Sequence, residues 1–194
     1  MHAFSGKPAS GLGARPSCRR ERGFTIIELM VAAAVAAVLL LIAIPSFKSI
    51  TLSNRLTTTA NDMVAAISTA RMEAIKQNAN SQLCSNSATS NSSDTLGTQC
   101  GTQTGAVYVL TNTTATQVRA GIAGIDSSIQ ISGNVTALRF GGQGLAHTTA
   151  SSTPYTGTVM DICTTSLTTE NHRVISLSAG SAITTSTQSG TCTP

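Results

Sequence analysis

The chain has 194 residues, 12 Lys/Arg against 8 Asp/Glu, a formal net charge of +4 and no Trp. That excess lies wholly before Phe24, where Lys7, Arg15, Arg19, Arg20 and Arg22 stand against Glu21 alone; seven basic and seven acidic residues follow. A neutral body gives little general attraction for nucleic acid, so any such contact would need a local basic patch.

Residues 1–23 contain Gly, Ser and Arg without apolar periodicity and read as a disordered basic segment. Phe24 to Ile44 then forms an apolar run whose one charge is Glu28. As a helix it would span roughly 32 Å, close to the hydrocarbon thickness of a bilayer. A cleaved secretory signal has a shorter core and an A-x-A-like end, so this run is expected to be retained. Arginines on its N-terminal side keep that side cytoplasmic and send the rest of the chain across the inner membrane. A carboxylate placed in hydrocarbon costs about 2.5–3.5 kcal/mol on insertion scales, so Glu28 needs a compensating partner.

Pro45 is expected to kink this helix rather than end it. Beyond it, Leu52, Leu56, Ala60, Met63, Ile67, Ala70 and Ala74 recur at steps of three and four, one face of an amphipathic helix. Asn78 and Asn80 offer the stop. A helix over 24–78 would approach 80 Å if nearly straight. The organisation expected is a leader over 1–23, a membrane-spanning helix over 24–50, its amphipathic continuation over 51–80, and a β-rich body over 81–194.

After residue 80 the texture turns to Ser, Thr, Gly and β-branched residues. Strands are predicted at 81–84, 105–110, 116–121, 128–132, 136–140, 158–164 and 172–178, separated by polar, Gly-containing segments that suit antiparallel pairing. The fold class predicted is α+β, a long N-terminal helix packed on an antiparallel sheet domain. The Ser/Thr/Asn-rich stretch 85–104 reads as a long loop. Large side chains are few, so this thin core needs the helix stripe and covalent ties.

Cys18 lies in the basic segment, whereas Cys84, Cys100, Cys163 and Cys192 follow the apolar run. Those four allow three pairings, and the sequence alone selects none of them. The sequential pairing is the simplest, and would close loops worth about 3–3.5 kcal/mol each in the chain-entropy model. No CxxC or His-x-x-x-His spacing supports zinc. Disulfides imply an oxidising compartment, which agrees with the orientation given by the arginines.

Nothing in the sequence forms a catalytic constellation. His147 and His172 read as surface polar residues, Asp161 and Glu170 as unrelated carboxylates, and SGKPASGLG lacks the Lys-Ser/Thr order of a phosphate loop. No enzyme activity, metal or cofactor is expected.

The stretch GFTIIEL at 23–29, with its basic leader, the apolar run and Pro45, resembles the processing site of type IV pilin-like proteins. That resemblance implies cleavage by a prepilin peptidase between Gly23 and Phe24, followed by methylation of the new Phe24 amine. It also implies a partner for Glu28, the Phe24 ammonium of a neighbouring subunit in a filament of major and minor pilins. The 23-residue leader is long for this branch, and residues 1–14 are expected to be dispensable for processing. ARMEAIKQNANSQLCS (70–85), LRFGGQG (138–144) and HRVISLSAGSAI (172–183) resemble the GspH/FimT/FimU group of minor pilins and pseudopilins, nearest FimU.

Three functions follow from the resemblance: initiating or capping a type IV pilus, serving a type II secretion pseudopilus, or binding DNA as FimT-type members do. Those members carry a Gly-Arg-x-Arg-like element after the last strand. Here the matching Gly180-Ser181-Ala182-Ile183 has neither arginine, and no positive side chain follows up to Pro194. Arg119, Arg139 and Arg173 are expected as solvated strand residues, so nucleic acid is not the expected partner.

Overall fold

The structure is a computed structural model that describes residues 23–123, 125 and 128–193, with Pro45 described by its backbone only. Apart from Gly23, the basic leader with Cys18 lies outside the described residues. Helix α1 is Ile26–Gln77, and its assignment continues through Pro45. The helix ends in a Schellman arrangement: Asn78 takes φ 47°, its N–H donates to Ile75 O at 3.3 Å, and Ala79 N–H donates to Ala74 O at 3.1 Å. Threonines are tolerated inside α1 because their hydroxyls donate one turn back, Thr51 to Phe47 O, Thr57 to Ser53 O and Thr69 to Ala65 O.

Among the described residues the strands are β1 Ser81–Leu83, β2 Val107–Thr111, β3 Thr114–Arg119, β4 Gln130–Ile131, β5 Leu138–Phe140, β6 Ala146–Thr148, β7 Gly157–Cys163, β8 His172–Ser178 and β9 Ala182–Gln188. They form a five-stranded sheet of order β3-β2-β1-β5-β6 and a four-stranded sheet of order β4-β7-β8-β9. Every pairing in them is antiparallel. The architecture is α+β, as the periodicities indicate. The expected long loop 85–104 is corrected: it holds a 3-10 turn at Ala88–Asn91 and a short helix, α2, Thr95–Cys100. Asp94 caps α2 by accepting from Gly97 N–H at 3.0 Å.

The second half of α1 supplies the core with the stripe read from the sequence. Leu56, Ala60, Met63, Ile67, Ala70 and Ala74 are buried, and Leu52 is half-buried. They pack in one cluster with Leu83, Val107, Leu138 and Phe140 from the first sheet and Met160, Ile162, Ile175 and Leu177 from the second. Burying each Leu, Ile, Met, Val or Phe among them stabilises by about 1.5–3 kcal/mol, and each Ala by less. Ser81, fully buried at the start of β1, donates its hydroxyl to Ala70 O at 2.6 Å and so satisfies itself against the helix.

Candidate processing and assembly site

Gly23, Phe24 and Thr25 precede the first helical residue, so the Gly23–Phe24 peptide bond lies outside the helix. Thr25 occupies the N-cap: its Oγ1 accepts from Glu28 N–H at 3.3 Å, and its carbonyl accepts from Leu29 N–H at 3.2 Å. The sequence reading passed over this residue, although Thr-x-x-Glu before an apolar run is a recognised start signal. Glu28 therefore sits in the first turn, where the helix dipole favours a negative charge. A Cβ on Gly23 would meet nothing within 4 Å, so the chain's own packing does not require glycine there.

Every described side chain from Phe24 to Ile50 is exposed, Phe24 to 79% and Ile26 to 82%. An apolar helix open on all sides belongs in hydrocarbon or against other helices. By length and composition α1 is able to cross a membrane.

The cysteines are joined as Cys84–Cys100 and Cys163–Cys192, with Cα separations of 5.4 and 5.5 Å. The first bridge packs with Leu96, Ala106 and Tyr108 in a small second core. The second fastens the segment after β9, where Asn171 exchanges two hydrogen bonds with Gly190, at 2.8 and 3.0 Å.

The three arginines are not solvated strand residues, a correction to the expectation. Arg139 forms an ion pair with Asp94 and donates to Gln82 Oε1. Arg119 lies 3.9 Å from the Asp62 carboxylate, and Arg173, 7% exposed, donates to Ser53 Oγ at 3.0 Å and Glu170 O at 2.7 Å. All three tie strands to neighbouring elements. His172 also departs from its expected surface place. It is buried on β8 with Nδ1 3.0 Å from Asp161 Oδ2 on β7, a pairing set by strand register. Its Nε2 is buried without a hydrogen-bond partner among the described residues. Among the described residues no group of His, Cys, Asp or Glu is arranged to hold a metal ion.

Burial pushes the Asp94 carboxyl up, but the hydrogen bonds from Arg139 and Gly97 N–H outweigh it and hold the group below the ordinary aspartate range.

A capped apolar helix with an acid in its first turn, continuing into a stripe that seeds a two-sheet body, defines a type IV pilin-like subunit. Comparison with known families matches the prokaryotic N-terminal methylation motif to residues 18–44 and the family of type II transport protein GspH to residues 59–181. The chain belongs to the GspH family. No curated protein and no solved structure matches it. The motif implies processing by a peptidase, anchoring in a membrane and assembly with other pilins.

Proposed function

We propose that the chain is a minor pilin, nearest the FimU type, that helps initiate or cap a type IV pilus. The observation that carries this is the exposed apolar half of α1 with Glu28 in its first turn, joined to a body that has its own core. Hydrolysis of the Gly23–Phe24 amide leaves a carboxylate on the leader and an ammonium on Phe24; once it loses a proton to solvent, the neutral amine attacks the methyl group of an electrophilic methyl donor held by the prepilin peptidase, and the donor leaves without its methyl. Glu28 of one subunit pairs with the Phe24 ammonium of its neighbour, because an unpartnered charge in the dry centre of a filament is strongly unfavourable. Before assembly, α1 anchors the chain in the inner membrane with the sheets on the periplasmic side. The role is structural, without catalysis or a cofactor.

A second reading, a minor pseudopilin of a type II secretion system, is favoured by the description of the matching family. The DNA-binding reading loses support because Arg119, Arg139 and Arg173 are all engaged within the fold.

Mass spectrometry on filaments sheared from intact cells, alongside the membrane fraction, tests these readings. A peptide starting at N-methylated Phe24 in sheared pili supports the pilus. The same peptide confined to membranes shifts the assignment to a pseudopilus or an initiation complex. An uncut chain in a filament-forming strain removes the pilin reading.

A further inference from the structure

Of the four sheet edges among the described residues, β9 is the one both long and open. The residues from Val174 to Pro194 include no Lys, Arg, Asp or Glu, and β9 itself has no Gly or Pro. The other edges are closed or blunted. β4 is two residues long. In β6, Ala146 N–H donates to Gly180 O at 2.9 Å, and Ala146 O accepts from Tyr155 N–H at 2.8 Å. β3 carries Arg119 and pairs with β2 through a register shift. Along β9 every side chain is exposed except the half-buried Ile183, which packs against the core.

The direction of the open groups follows from the ladder. Asn171 O accepts from Thr164 N–H at 3.1 Å, on the β7 side. Alternate residues of an antiparallel strand bond to opposite neighbours, so Arg173, Ile175 and Leu177 bond towards β7, and His172, Val174, Ser176 and Ser178 towards β9. Their partners there, in a register without shifts, are Gln188, Ser186, Thr184 and Ala182. Ile183, Thr185 and Thr187 therefore aim their N–H and C=O groups away from the sheet, and among the described residues no hydrogen bond reaches those groups. Three donors and three acceptors at a two-residue period match the main chain of another strand; a lipid, a nucleic acid or a helix offers no such repeat. We propose that β9 is extended by a strand of a different pilin-type subunit, which adds to the four-stranded sheet. Two copies joined β9 to β9 antiparallel would be related by a two-fold axis normal to the sheet, and would carry their Leu56–Ala74 helix segments in opposite directions. Subunits inserted the same way through one membrane share a direction, so the partner is another chain. The inference rests on the pilin reading given above and assigns its assembly a surface.

A photo-activated benzoylphenylalanine in place of Ser186, whose side chain is exposed and whose backbone bonds back to β8, reports on the neighbour of β9. The full chain carrying it is made in cells that assemble the filament. Irradiation is expected to link it to a second chain that itself carries the N-terminal methylation motif, and peptide mapping to place the link in a strand of that chain. Thr185→Pro removes one outward N–H and leaves the bonds to β8 in place, a proline site that edge strands tolerate. It is expected to lower the linked product about fivefold or more. Thr185→Lys, which charges the same edge, should lower it similarly, and replaces the proline variant if that one unfolds at a reduced temperature in detergent. No link to a motif-bearing chain, a link outside that chain's strands, a link to a second copy of this chain, or a yield that survives both substitutions overturns the proposal. A chain left uncut before Phe24 in those cells instead overturns the pilin reading beneath it.

Discussion

Arg139 and Gln82 sit directly opposite each other on β5 and β1, and the guanidinium gives the Gln82 amide oxygen two hydrogen bonds, at 3.0 and 2.9 Å. Gln82 is fully buried, and its amide nitrogen donates to Asn91 O at 2.9 Å. The same guanidinium pairs with Asp94 at the cap of α2. One side chain thus fastens the first disulfide loop to the central strand of a sheet. Arg139→Met is expected to destabilise the full chain in detergent by about 1–3 kcal/mol, because it strands a buried amide oxygen. Chemical unfolding measures it; a loss below a few tenths of a kcal/mol would show that Gln82 finds another donor.

Asp94→Asn should cost less at neutral pH. The Asp94 side chain is 45% exposed, so solvent screening leaves the lost ion pair worth no more than about 0.5–1 kcal/mol, and Asn keeps a capping oxygen. The Asp94 carboxyl is held below its ordinary range in the folded chain, so its contribution is fully present above the unfolded value of about 3.9. It is lost as pH falls through the lower folded value. The stability gap between the native chain and Asp94→Asn should therefore be constant above about pH 5 and close below about pH 4. A gap that stays open at acid pH would mean the carboxylate charge does not contribute.

Gly97 lies where α2 crosses the preceding 3-10 turn. A Cβ there would come 1.8 Å from Asn91 O and 2.4 Å from Ser92 O, both backbone atoms. The turn has little freedom to yield: the buried Asn91 amide donates to Ser85 O and Gly101 O, at 3.1 and 3.0 Å, and its carbonyl oxygen accepts from Ser85 N–H at 2.7 Å. Gly97→Ala is expected to cost about 2–3 kcal/mol by overpacking. Gly101→Ala should cost about 1–2 kcal/mol, since it meets only its φ of +53° and open space. Thermal unfolding of the two variants side by side tests the order; equal losses would show that the crossing relaxes.

What was legible in the sequence is what obeys a short period. The stripe Leu56, Ala60, Met63, Ile67, Ala70, Ala74 follows from steps of three and four, because one helix face must be buried. Strands such as His172–Ser178 alternate or run apolar, and were placed correctly. β9, Ala182–Gln188, was missed because its Ser/Thr residues are almost all exposed and carry no alternation. α2 was hidden by Gly97 and the surrounding Ser/Thr, although Asp94 three residues before Gly97 marked its start. The roles of Arg119, Arg139, Arg173 and His172 depend on partners that register and helix packing bring close, such as Asp161 across β7 and β8. No local spacing carries that information. At the processing site the reverse holds: residues 23–29 are a linear signal, and the structure adds the N-cap at Thr25.

Gly23 tests the processing reading without disturbing the fold. It lies outside α1 in open space, and its backbone is not among those with a positive φ. A Cβ there meets none of the described atoms, so a demand for glycine is expected from an enzyme that closes on the backbone. Gly23→Trp is expected to accumulate as an uncut, unmethylated chain in cells that process the native one. In detergent it should unfold at the same temperature as the native chain taken from a strain lacking the peptidase. An immunoblot reads the first expectation through the retained leader. Normal cleavage of Gly23→Trp would sink the assignment of the cut to Gly23–Phe24. A lowered unfolding temperature would instead show that Gly23 serves the fold, contrary to its open surroundings.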